Sequence, residues 1–115
     1  MADRSPQEVF DSLGAALEAS DLDAIAANYA DDAIFVTRDS VLRGRDGVRQ
    51  GYEKFLADLP GASFELPTVT FEDDVLYFEW TASSSAGNVG DGVDTCVFRG
   101  GVIRVHTVHY TMQPA

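Results

Sequence analysis

Residues 91–112, DGVDTCVFRGGVIRVHTVHYTM, place two groups able to move protons inside a mostly apolar stretch: Asp94 and His106. Imidazole titrates near neutral pH and serves as acid or base. A carboxyl turned into an apolar cavity loses hydration, its pKa rises, and it becomes a hydrogen-bond donor. The plainer alternative puts Asp94 in water beside the Asp91-Gly92 turn and bonds His106 to backbone or solvent. Geometry decides whether the two meet. If Gly100-Gly101 is a two-residue hairpin loop, Thr95 falls opposite His106, and Asp94 and His106 lie on different faces. If Arg99-Gly100-Gly101 is a three-residue loop with Gly101 as a bulge, Asp94 falls opposite His106 on one face.

Other candidates depend on parity in the same way. Val75–Ser83 alternates Leu76, Phe78, Trp80 and Ala82 with Val75, Tyr77, Glu79 and Thr81. The first set is placed inside, because Glu79 inside would be a buried charge needing a partner. Trp80 then packs in the core or forms a ligand platform. Tyr29 and Tyr52 are rings whose hydroxyls reach a cavity or water. His109 faces outward with Thr107, since residues three apart on a strand lie on opposite faces. No carboxylate or histidine spacing points to a metal, and Arg43-Gly44-Arg45-Asp46-Gly47 is too short for a nucleotide fingerprint. No cofactor is expected.

Around these residues the pattern predicts three helices and six strands. Ser5-Pro6-Gln7-Glu8 is a helix start, followed by Val9, Phe10, Leu13, Ala16 and Leu17 at helical spacing. Asp21 caps a second, short helix running through Leu22, Ile25, Ala26 and Tyr29. Asp31-Asp32 is read as a turn, with short extended pieces at 33–37 and 39–44. A third helix opens at Arg45-Asp46-Gly47 and carries Val48, Tyr52, Phe55, Leu56 and Leu59 on one face. The rest is β: Ser63–Glu72, Val75–Ser83, Val93–Arg99 and Val102–Met112, with 84–92 read as a loop. The order ααββαββββ is an α+β fold. Its curved antiparallel sheet would carry three helices on the concave face, leaving a cone with one open mouth, a common small-molecule site.

The 115 residues suit one domain, spanning 1–115, and 45% apolar residues supply a core. A net charge of −11 opposes nucleic acid and anionic membrane as partners. There is no apolar run long enough to span a membrane and no signal-peptide core, so the cytoplasm is expected. Cys96 is the single cysteine and has no disulfide partner in the chain. Asp outnumbers Glu and Lys54 is the only lysine, a bias that fits a high-GC genome or a salt-rich cytoplasm.

Three stretches resemble the nuclear transport factor two-like superfamily, in particular its SnoaL-like and ketosteroid isomerase-like branches: ALEASDLDAIAANYADDAIF (16–35), RGRDGVRQGYEKF (43–55) and GVDTCVFRGGVIRVHTVHY (92–110). The resemblance implies a homodimer through the open sheet face. It also implies an apolar pocket formed by Phe10, Leu13, Tyr29, Phe35, Tyr52, Phe55, Trp80, Asp94, His106 and Tyr110. Asp94 falls where the isomerases keep a protonated Asp that stabilises an enolate oxygen. Tyr52 falls on a tyrosine of their hydrogen-bond network. Their general-base Asp would be Thr37, and their first-helix oxyanion Tyr would be Leu13. In the cyclases a His and an Asp lie two residues apart on the last strand; here these are His106 and Val108. The implied function is a cofactor-free isomerase, cyclase or dehydratase acting on a hydrophobic carbonyl compound, with Asp94 and His106 catalytic. A non-catalytic small-ligand-binding module or a mainly structural dimer are the alternatives.

Overall fold

A computed structural model describes residues 3–115. Its elements run α1 Pro6–Glu18, α2 Leu22–Ala26, β1 Tyr29–Val36, β2 Val41–Arg43, α3 Gly44–Asp58, β3 Ser63–Glu72, β4 Val75–Ser83, β5 Asn88–Arg99 and β6 Val102–His109. The order is the one expected from hydrophobic periodicity. A full capping box starts α1: Ser5 Oγ accepts from the Glu8 amide, and the Ser5 amide donates to Glu8. Asp21 accepts from the Ala24 amide and starts α2.

The sheet order is β2-β1-β6-β5-β4-β3. Every pair is antiparallel except β1 with β6, which run parallel. The strand faces turned toward the helices bury Leu76, Phe78, Trp80 and Ala82 from β4, and Asp94, Cys96 and Phe98 from β5. Val9, Leu13, Val48 and Tyr52 close the core from the helices. Glu79 lies on the outer side, where it accepts from the Tyr77 hydroxyl. On that outer face Val75, Val97, Val105 and Ile34 form one row across four strands, and Tyr77, Thr95, Thr107 and Val36 form the next. Val75 and Tyr77 are exposed there. No helix is long and apolar enough to cross a membrane among the described residues.

Several boundaries differ from the sequence reading, among them the last strand, which ends at His109 rather than Met112. Tyr29 does not end α2 but begins β1. Asn28, which is buried, stops the helix: its side-chain amide donates to Ala24, its Oδ1 accepts from Arg4, and its carbonyl accepts from the Ile103 amide. Asp31 and Asp32 are not a turn. They lie inside β1, at an irregularity between the Tyr29 and Ile34 pairings with β6. Finally, 88–92 is strand, not loop. β5 starts at Asn88, with a register shift against β4 between Trp80 and Ala82, and Asn88 also pairs with Gln113.

The hairpin that decides the site follows neither expected register. Gly100 and Gly101 both have positive φ, 61° and 79°, as a two-residue primed turn requires. Arg99 pairs with Val102 and Phe98 with Ile103. The register then slips by one residue at Arg104, so that Val97 pairs with Val105 and Cys96 with His106. The bulge returns Asp94 and His106 to one face, diagonal rather than opposite, because an extra residue on one strand reverses its parity.

Candidate active site

Five side chains from five elements join in one buried hydrogen-bonded chain. Tyr52 on α3 and Tyr29 on β1 have hydroxyls 2.7 Å apart. The Tyr29 hydroxyl lies 2.7 Å from His106 Nδ1 on β6. His106 Nε2 is 2.6 Å from Asp94 Oδ2 on β5, and Trp80 Nε1 on β4 donates to Asp94 Oδ1 at 2.7 Å. Asp94 is 6% exposed and His106 2%. The solvated reading of both residues is therefore excluded. The Tyr29 and His106 rings are nearly parallel, 5° apart, and Phe35 meets the imidazole edge-on.

The indole N–H can only donate, so Asp94 Oδ1 is an acceptor. One proton is shared between Asp94 Oδ2 and His106 Nε2, and either atom can be its donor.

The cavity beside this chain has a volume of about 1120 Å³. Leu13, Phe35, Tyr52, Phe55, Trp80 and Tyr110 lie on its wall, with Phe10 and Asp94. Tyr29 and His106 lie behind the wall, screened by Tyr52 and Asp94. The hydrogen bonds of His106 lead to the wall directly through Asp94 and, by way of Tyr29, through Tyr52. Thr37 sits at the rim, and its Oγ1 accepts from the Asp39 and Ser40 amides in the β1–β2 turn. At another part of the wall the Tyr110 hydroxyl donates to Asp58, which Lys54 also contacts at 2.7 Å.

Burial works against charge on His106. The neighbouring Cys96 sulfur and the hydrogen bond to Asp94 outweigh it, and the imidazole is raised to about 10. Burial likewise raises the Tyr29 and Tyr52 phenols well above their ordinary value, keeping both protonated.

The SnoaL-like domain pattern matches residues 10–106, which include all five members of the chain. The protein belongs to the SnoaL-like domain family. None of the curated proteins matches this SnoaL-like sequence. Among solved structures, an NTF-2 like protein of unknown function from Burkholderia xenovorans LB400 is 24% identical, with 95% of this chain and 84% of that one covered and a TM-score of 0.75. A hypothetical protein with a ketosteroid isomerase-like fold from Catenulispora acidiphila DSM 44928, in complex with trimethylamine, is 15% identical, with 93% and 88% covered and a TM-score of 0.75. A de novo designed protein with a curved β-sheet is 11% identical, with 91% and 84% covered and a TM-score of 0.77. These likenesses carry the fold and no chemistry.

Two positions of the SnoaL-like site escaped the sequence reading. Asn28 sets where Tyr29 enters the sheet. Gly92 lies directly across from Trp80, and a Cβ there would sit 2.3 Å from the indole carbons. The missing side chain lets the indole lie across β5 and reach Asp94. A glycine read as a turn gave no sign of this, because its partner strand has to be known first.

Gly92→Ala is expected to displace Trp80, the only tryptophan, shift its emission to longer wavelength and cost about 1–3 kcal/mol by overpacking. Unchanged emission would contradict the close contact. The His106 shift also makes stability depend on pH. A raised folded pKa means that the folded state binds the proton more tightly than the unfolded state. The added stability is complete below pH 6.5, falls as pH rises, and is gone above about 10. Urea midpoints should fall across that window in the wild type, and much less in His106→Gln.

Proposed function

We propose that this SnoaL-like protein enolises a hydrophobic carbonyl compound without a cofactor, Asp94 acting as general base and Tyr52 holding the carbonyl oxygen. The observation that carries this is the pairing of a carboxylate and a phenol on one apolar cavity wall, connected behind it by Tyr29 and His106. Asp94 takes a proton from the carbon next to the carbonyl. The C–H electron pair becomes the C=C bond, and the carbonyl π pair moves to oxygen. Tyr52, kept protonated by burial, hydrogen-bonds that oxygen. Return of the proton to the same carbon gives exchange; return to another carbon gives an isomer. An apolar wall strengthens each of these interactions. Cyclisation and dehydration also pass through such an enolate.

The roles differ from those the resemblance implies. Asp94 is the base rather than the oxyanion donor, and His106 supports it without touching the substrate. The alternative, a binding module, is favoured by one observation: every link between neighbours in the buried chain is complete without a ligand.

The proposal includes a cytoplasmic homodimer. The Val75–Val97–Val105–Ile34 row is apolar and uncovered, and a second copy of the same face would bury it.

Deuterium exchange at the methyl group of 2-acetylnaphthalene, followed by proton NMR in heavy water, tests the chemistry. The wild type should accelerate loss of the methyl signal, and Asp94→Asn should lose about 100-fold or more of that acceleration. Equal rates in the two proteins would reject the base. In analytical ultracentrifugation the wild type should sediment as a dimer and Val97→Glu as a monomer. A monomeric wild type at its highest soluble concentration would reject the interface.

A further inference from the structure

The buried chain admits two complete proton arrangements, and they differ in what Tyr52 offers the cavity. At one end Trp80 Nε1–H donates to Asp94 Oδ1, and one proton lies between Asp94 Oδ2 and His106 Nε2 in both arrangements. The remaining links are His106 Nδ1 to the Tyr29 hydroxyl and that hydroxyl to Tyr52's, each 2.7 Å. A phenol has one proton to give. If Nδ1 carries a proton, it donates to Tyr29, Tyr29 donates to Tyr52, and the Tyr52 proton is left over. If Nδ1 is bare, Tyr29 donates to it, Tyr52 donates to Tyr29, and Tyr52 keeps only a lone pair.

Tyr52 is on the cavity wall, and Tyr29 is its hydroxyl's single hydrogen-bond partner among the described residues. Whatever Tyr52 has left over is therefore offered to a ligand. We propose that His106, acting through Tyr29, sets the hydrogen-bonding polarity of Tyr52, so that the protonated chain selects ligands that present an oxygen acceptor to the cavity. This deepens the reading above and rests on it only in taking the cavity as the ligand site.

The titratable groups facing the imidazole are Asp94 and Cys96 from β5, Tyr29 from β1 and Tyr52 from α3. Both phenols stay protonated, so the step between arrangements belongs to the imidazole. With His106 raised to about 10, the donor arrangement holds at neutral pH. Passing to the other arrangement releases one proton from Nδ1 to solvent and rotates two hydroxyls. No bond to carbon changes. An unmatched O–H in an apolar cavity is unfavourable, and a carbonyl or ether oxygen would satisfy it.

The test compares 2-acetylnaphthalene with 2-isopropenylnaphthalene, which has the same shape with a methylene in place of the oxygen. Calorimetric affinities are measured from neutral pH to just past the His106 titration. Imidazole 15N NMR follows that titration independently, with His109 as the second histidine signal. At neutral pH the ketone should bind about 10-fold more tightly than the alkene. The ratio should fall toward one as His106 loses its proton. Tyr29→Phe cuts the link, so its ratio should no longer follow His106. Tyr52→Phe should bring the ratio near one at every pH. A wild-type ratio that stays constant while His106 titrates overturns the proposal, as does an unaltered pH profile in Tyr29→Phe. So does failure of both naphthalenes to bind. Absent deuterium exchange with a ratio that still titrates would reject the enolising enzyme and leave the polarity switch standing.

Discussion

The 2.6 Å contact between His106 and Asp94 is the constraint on which the interior depends. Neither side chain is exposed enough to recover hydration. Removing two ionisable groups from water costs several kcal/mol for each ion after relaxation. That cost is met only when the remaining donors and acceptors find partners. The Trp80 indole satisfies the second Asp94 oxygen, and the Tyr29 hydroxyl satisfies the second imidazole nitrogen. The need then passes to Tyr52 and stops at the cavity wall.

Each link asks something of the backbone. Asp94 and His106 must share a face, which the bulge at Arg104 achieves after a two-glycine turn. Trp80 must lie over β5, so the facing position is glycine. Tyr29 must enter the sheet at its first residue, so Asn28 ends the helix before it and Arg45 donates to the Tyr29 carbonyl. A β-bulge, a glycine without space for Cβ and a buried asparagine are each unfavourable in a regular element. Here all three serve one chain of hydrogen bonds.

Much of the architecture could be read from local pattern. Period-2 alternation placed Leu76, Phe78, Trp80 and Ala82 inside and Glu79 outside, and the structure agrees. The Ser5–Glu8 capping box and the Asp21 cap are short-range signals that need nothing beyond a few neighbours. The misread boundaries are those fixed from a distance. Tyr29 continues a helical pattern until the Ile103 amide, far along the chain, claims the Asn28 carbonyl. Residues 88–92, rich in glycine, look like loop until pairing with β4 holds them as strand.

The same division runs through the site. The sequence by itself determined the chemistry available: one aspartate and one histidine among apolar strand residues, aromatic rings at helical and strand spacing, and an element order that makes a helix-lined curved sheet. Tertiary structure decided which of these meet. It joined Asp94 to Trp80 and His106, set Tyr29 and His106 off the cavity wall, and gave Gly92 its purpose. The physical reason is parity. A strand side chain changes face with a single residue of offset, and a bulge supplies that offset according to what both strands must bury together.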